Sequence, residues 1–141
     1  MNISSTVTDN ITEILAKIVD FTGRRRQLLT ANILNVETHD FVPKDLDAEG
    51  FADVMAQAVT EHMRSNRLLL CDSETLRFVE GGGFEALPVV DEQGQVLLER
   101  DKETYMQLQT DKLSETIVNN RIATELLIHL QNKEQIARHP D

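Results

Sequence analysis

Apolar residues recur at steps of three and four between residues 10 and 34. Ile11, Ile14, Leu15, Ile18, Val19, Leu28, Leu29 and Ile33 form one stripe, which predicts an amphipathic helix. Asn10, with Glu13 three residues later, offers a capping box at its start. Gly23 interrupts the stripe, at about 1 kcal/mol relative to alanine, and marks a weak point. Residues 35–47 hold no apolar period. His39-Asp40 reads as a turn, and Phe41-Val42-Pro43 as extended, because a proline disfavours helix at the residue before it. Asp47 then reads as the N-cap of a second helix. Phe51, Val54, Met55, Ala58, Val59 and His62 share one of its faces, and it fades near Asn66.

The pattern changes between Leu68 and Val96. Short apolar runs (68–70, 76–79 and 87–90) are separated by Gly81-Gly82-Gly83 and by Asp91-Glu92-Gln93-Gly94. Both separators are turn chemistry, so one or two short β-hairpins are expected. From Glu99 a helix returns and runs about eight turns to a stop at His139-Pro140. Its Tyr105, Leu108, Leu113, Ile117, Val118, Ile122, Leu126, Leu127 and Leu130 spread over a broad face, which packs in a core or waits for a partner. The expected fold is mainly α. Long N- and C-terminal amphipathic helices pair like a coiled coil, joined by a second short helix and a small β-hairpin insertion. The organisation expected is an N-terminal helix and motif over 1–47, a middle section over 48–98 and a C-terminal helix over 99–141.

Composition narrows the partners. The 141 residues carry a formal charge of −10, from 24 acidic against 14 basic side chains. Nucleic-acid affinity depends on a basic face, so a nucleic-acid partner is not expected. The one basic cluster, Arg24-Arg25-Arg26, lies on the first helix, where solvation or ion pairing accounts for it. Aromatics are only 4% with no tryptophan, which favours helix packing over a large aromatic core. A single cysteine, Cys71, forms no intramolecular disulfide. No apolar run is long enough to span a bilayer, and the N-terminus lacks a basic region before an apolar stretch. Neither membrane insertion nor a cleaved signal peptide is expected.

The chain is poor in catalytic patterns. His39, His62, His129, His139 and Cys71 are scattered, without paired metal-ligand spacing. Gly81-Gly82-Gly83 is followed by Phe84-Glu85-Ala86-Leu87-Pro88, which lacks the lysine and helix start of a phosphate loop. The acidic pairs Asp45/Asp47 and Asp91/Glu92 lack the calcium-loop pattern. No enzyme activity, metal or cofactor is expected.

One segment remains. In Ala31-Asn32-Ile33-Leu34-Asn35-Val36-Glu37-Thr38 the spacing of three puts both asparagine amides on one face of a helix end. They can end the first helix, with Asn35 near its C-cap, or bridge to a neighbouring subunit, and the two uses are compatible. The segment resembles the N-terminal signature of the bacterial flagellar axial proteins, specifically basal-body rod proteins of the proximal-rod type. That signature runs roughly A-N-x-A-N-x-x-T-P-G-Y, then a basic residue and an acidic pair. Asn32 and Asn35 fall on its asparagines, Thr38 on its threonine and Phe41 on its tyrosine. Lys44-Asp45 stand at its basic-acidic step, and Asp47 at a second acidic position. Leu34 departs from a small residue and His39-Asp40 from proline-glycine, though aspartate tolerates a left-handed backbone. Farther on, Gly94, Val96 and Glu99 loosely match the family's approach to its C-terminal helix.

The resemblance implies a structural subunit that polymerises through its terminal helices in the periplasmic rod of the flagellar basal body, exported without a cleaved signal. Its partners would be other rod proteins, the junction of rod and membrane ring, and itself. Asn32, Asn35, Thr38, Phe41, Lys44 and Asp45 would form the assembly motif. Ile11, Ile14, Ile18, Leu28, Ile117, Leu126 and Leu130 would pair the two terminal helices with each other and with neighbouring subunits. The alternative is a cytoplasmic helical adaptor or export chaperone that binds a partner's amphipathic helix. Acidic charge suits it, but it explains the asparagine segment poorly.

Overall fold

The computed structural model describes residues 3–79 and 81–138. It is mainly helical, with elements in the order α1 (Ile3–Leu34), β1 (Lys44–Asp45), α2 (Ala48–Ser65), β2 (Leu76–Phe78), β3 (Phe84–Ala86), β4 (Val89–Val90), α3 (Glu92–Arg100) and α4 (Lys102–Arg138). The long terminal helices, the short second helix and the small hairpin stand where the patterning puts them.

Helix α1 begins at Ile3, ahead of the start expected at Asn10. Asn10 is therefore no cap. It is buried in mid-helix, and its Nδ2 donates to the Asn66 carbonyl (2.9 Å), 3.2 Å from His62 Nδ1. The amide that looked free to cap α1 closes the far end of α2 instead. Gly23 does not break the helix, and a Cβ there would meet nothing within 4 Å.

Helix α2 is capped by Asp47, whose carboxylate accepts from Gly50 N (2.9 Å). A Cβ at Gly50 would collide with that carboxylate, so a larger residue there displaces the cap. Phe51, Val54, Met55, Ala58 and His62 are buried as expected, whereas Val59 is partly exposed. Asn66 ends the helix in the left-handed region. Strands β2 and β3 form an antiparallel hairpin, with Leu76 opposite Ala86 and Phe78 opposite Phe84. Its turn runs through Gly81 and Gly82, both at positive φ.

Two features differ from the sequence reading. Asp91-Glu92-Gln93-Gly94 is not a bare turn. Asp91 caps α3, accepting from Gly94 N (2.9 Å), because an Asp-x-x-Gly step serves equally well as a turn and as a helix start. The helix expected from Glu99 is broken at Asp101, whose carboxylate accepts from Thr104 N (3.1 Å) and starts α4 afresh. In addition, β1 pairs antiparallel with β4, Lys44 opposite Val90, tying the segment after α1 to the approach to α3. The stop expected at His139-Pro140 lies outside the described residues.

The core lies between α1, α2 and the hairpin: Ile14, Phe21, Leu46, Phe51, Val54, Met55, Ala58, Leu76 and Phe84. Phe21 and Phe51 stack at 3.9 Å, Phe84 lies 6.0 Å from Phe51, and the Arg24 guanidinium covers Phe84 at 4.5 Å. Helix α4 packs along α1, antiparallel to it, so that Asn32 meets Gln109 and Thr22 meets Asn120.

Candidate functional site

The seam between α1 and α4 mixes polar with apolar groups. The residues α4 buries are Tyr105, Gln109, Thr116 and Ala123, all at helical spacing along one stripe. Lys112 and Asn120 stand half-buried on the same stripe. Asn120 Nδ2 donates to the Val19 carbonyl (3.1 Å) and to Thr22 Oγ1 (2.9 Å).

At the other end of the seam a hydrogen-bond network joins α1, β1, α4 and the Asp91 cap of α3. Asn32, 1% exposed, donates from Nδ2 to the Lys44 carbonyl (2.8 Å) and to Gln109 Oε1 (2.9 Å), and its Oδ1 accepts from Lys44 N (3.2 Å). Gln109 Nε2 donates to Asp91 Oδ2 (3.0 Å). Lys112 Nζ lies 3.3 Å from both Asp91 Oδ2 and Asp45 Oδ2. Arg25 grips Asp45 through two parallel bonds of 2.9 and 3.0 Å. Tyr105 donates to the Asn32 carbonyl (2.8 Å).

The electrostatics follow this geometry. Burial works to raise the Asp91 carboxyl, but the Gly94 N–H, the Gln109 amide and Lys112 outweigh it and hold Asp91 below its ordinary value. Burial, with the nearby Asp91 charge, pushes the Tyr105 phenol up to about 12.

This places the asparagine segment. Asn32 serves the inside of the chain. Asn35 ends the helix, donating from Nδ2 to the Ala31 carbonyl (2.8 Å) and accepting from Thr38 Oγ1 (2.9 Å). Asp40 then turns the chain at φ 59°, a left-handed residue where the family signature has proline-glycine. Phe41 is half-buried, Thr38 and Lys44 are exposed, and Asp45 is buried in its ion pairs. The structure thus brings Asn32, Lys44 and Asp45 into one network and leaves Asn35, Thr38 and Phe41 at the turn outside it. Gln109, Asp91, Lys112, Arg25 and Tyr105 complete the network. Arg25 comes from the basic cluster, Tyr105 from the apolar stripe of the last helix and Asp91 from an acidic pair, whereas Gln109 and Lys112 were not singled out from sequence. Their only signal is the matching of buried donors to acceptors across the fold, which no local spacing reveals.

The residues expected to pair the helices are distributed differently. Ile14 is buried in the core with α2 and the hairpin, and half-buried Ile18 and Leu28 pack against that core. Ile11 and Leu130 are half-buried. Ile117 and Leu126 lie outside the seam, 38% and 49% exposed. The stripe of α4 that meets Thr22 and Asn32 carries complementary polar groups, and seating it turns the aliphatic flanks outward.

One flank borders a groove of about 460 Å³ between α2 and α4. Leu15 and Ile18 of α1 form its floor. Ala52 and Met55 of α2 and Ile122 and Leu126 of α4 form its walls. Among the described residues no three His, Cys, Asp or Glu side chains gather as a metal would require, and no helix is long and apolar enough to cross a membrane.

Comparison with protein-family models, with characterised proteins and with solved structures finds no match.

Proposed function

We propose that this chain is a structural subunit of the bacterial flagellar basal-body rod, of the proximal-rod type, which polymerises through its terminal helices. The observation that supports it best is the aliphatic surface that α4 leaves uncovered. Ile117, Val118, Ile122, Leu126 and Ile128 are each between 38% and 52% exposed along one helix. Scattered exposed aliphatics are ordinary, but two aliphatic flanks on one helix, Ile117 and Ile128 on one and Ile122 and Leu126 on the other, are the arrangement of a surface awaiting neighbours. Covering it contributes roughly 25 cal/mol per Å² of apolar area. The resemblance of residues 31–47 to the rod signature supplies the identity of the neighbours: other rod proteins and further copies of this chain. In this reading Asn32 and Asp45 set the angle at which the helix pair leaves the rest of the chain. Thr38 and Phe41 stand at the turn, within reach of an adjacent subunit.

The test is location. In the source bacterium, full-length uncleaved chain is expected in purified basal bodies, and trapped inside the cell when flagellar export is blocked. Protein that stays soluble in the cytoplasm of both strains overturns the reading. The groove beside α4 favours a second reading, a cytoplasmic adaptor or export chaperone that holds a partner's amphipathic helix, and the same fractionation separates the two.

A further inference from the structure

We infer that the groove between α2 and α4 is the seat of a cationic amphipathic helix from a different protein. The inference rests on the groove as a helix-docking site, which the rod and adaptor readings share, and it commits to the chemistry of the occupant.

The shape is that of a helix bundle lacking one member. Helix α1 makes its contacts with α2 on one side and α4 on the other, and the two outer helices stand apart above Leu15 and Ile18. From Glu115 to Leu126 the α4 wall runs three turns, about 16 Å at 1.5 Å per residue. The opposite wall consists of small residues, Ala48 and Ala52, followed by Met55. Small side chains let a helix backbone approach closely, and methionine adapts to irregular apolar partners. An apolar face with anchors at steps of three and four is the ligand such a groove takes.

Charge selects among such helices. Two charged side chains line the groove, Arg25 and Glu115. Arg25 is neutralised by its two bonds to Asp45, so Glu115 is the uncompensated one. Asp111 stands one turn before Glu115, and Glu49 and Asp53 follow Ala48 and Ala52 on exposed positions of α2. Among the described residues none of these four carboxylates forms an ion pair. Both lips are therefore negative, and lysines or arginines flanking the apolar face of an incoming helix complete them. A second copy is the poorer occupant. It brings another −10, and its own uncovered helix carries Glu115 on the stripe of Ile122 and Leu126.

The probe is a fluorescent peptide of about four turns, with leucines at steps of three and four and lysines on both flanks, titrated against the full chain. A scrambled isomer of equal charge is the control. Ala52 and Glu115 are exposed, so Ala52→Trp fills the groove and Glu115→Lys inverts its lip without touching the core. Saturable binding is expected from the amphipathic peptide alone, weakening with salt. Ala52→Trp should weaken it about tenfold or more, Glu115→Lys should weaken it and flatten the salt dependence, and Ile117→Asp, on the other flank, should leave it unchanged. Equal binding of the scrambled peptide, or wild-type affinity in Ala52→Trp, overturns the inference. So does self-association of the chain that Ala52→Trp abolishes, which would make a second copy the occupant. A chain found in basal bodies that ignores the peptide loses this inference alone; one that binds the peptide but never leaves the cytoplasm loses the rod reading alone.

Discussion

Replacing Asn32 by alanine should be among the most damaging single polar substitutions in this chain. The side chain is 1% exposed and makes three hydrogen bonds, two of them to the main chain of Lys44. Alanine leaves Lys44 N, Lys44 O and Gln109 Oε1 without that partner. A buried polar group stranded in this way costs roughly 1–3 kcal/mol. The Lys44 groups lie in an exposed residue and regain some water, which puts them near the low end, about 1 kcal/mol each. Gln109 is 0% exposed and cannot, so its carbonyl counts near the middle of the range. The expected loss is about 3–4 kcal/mol, a large part of the roughly 5–15 kcal/mol that stabilises a typical domain. Asn35→Ala is the internal comparison. Its amide bonds at the half-exposed helix end, and its removal should cost about 1 kcal/mol. Urea unfolding followed by helical circular dichroism measures both. Equal losses, or a loss under about 1.5 kcal/mol for Asn32→Ala, would refute the network as the element that fixes α1 to β1 and α4.

The remaining predictions concern titration, backbone and surface. Tyr105 is the single tyrosine, so tyrosinate absorbance reports it alone, with a midpoint at about 12 in the folded chain. Its folded value is raised, so the stability it contributes is complete below the ordinary phenol value near 10 and is lost as pH rises through about 12; Tyr105→Phe should remove that part of the alkaline decline. Asp91 is lowered, so its contribution is present above the unfolded carboxyl value near ~3.9 and is lost as pH falls through the folded one. Asp91→Asn should flatten the acid limb of urea midpoint against pH, and an unchanged limb would count against the assignment. Gly23→Ala should stabilise the chain by about 0.5–1 kcal/mol, since helix surrounds the site and a Cβ there is unobstructed. Under the proposed rod function, Ile117→Asp with Ile128→Asp should leave the unfolding midpoint near wild type and abolish incorporation into basal bodies; normal motility in that strain would show that this flank is not an assembly surface.

What the sequence made legible was whatever local physics decides. Asp47 as a cap, the buried face of α2 from Phe51 to His62, and the glycine turn of the hairpin each rest on residues within a few positions of one another. The polar network was not legible, because Gln109 and Lys112 look like a solvated face until their partners, as far as 77 residues away, are known. The same holds for Asn10, whose capping pattern is satisfied locally on paper but whose partner is Asn66. Helix α3 was missed for another reason: Asp91 to Gly94 meets the rules of a turn and of a helix start, and only the Gln109 and Lys112 side chains waiting across the fold decide between them. Of the six residues grouped as an assembly motif, Asn32, Lys44 and Asp45 meet in one internal network, while the face of α4 buried against α1 centres on Tyr105, Gln109, Thr116 and Ala123 rather than on Ile117 and Leu126.

The mixed seam also bears on how the chain survives its own synthesis. Phe21, Phe51 and Phe84 can meet as soon as residue 86 has emerged, so α1, α2 and the hairpin close early. The face of α1 that receives α4 must wait, since Asn120 reaches back 101 residues to Val19. At about 5–20 residues per second, that face stands in water for seconds, a period in which exposed apolar surface invites aggregation. Thr22 and Asn32 are at home in water and dilute the apolar Leu29 between them, which lessens that hazard until the last helix arrives.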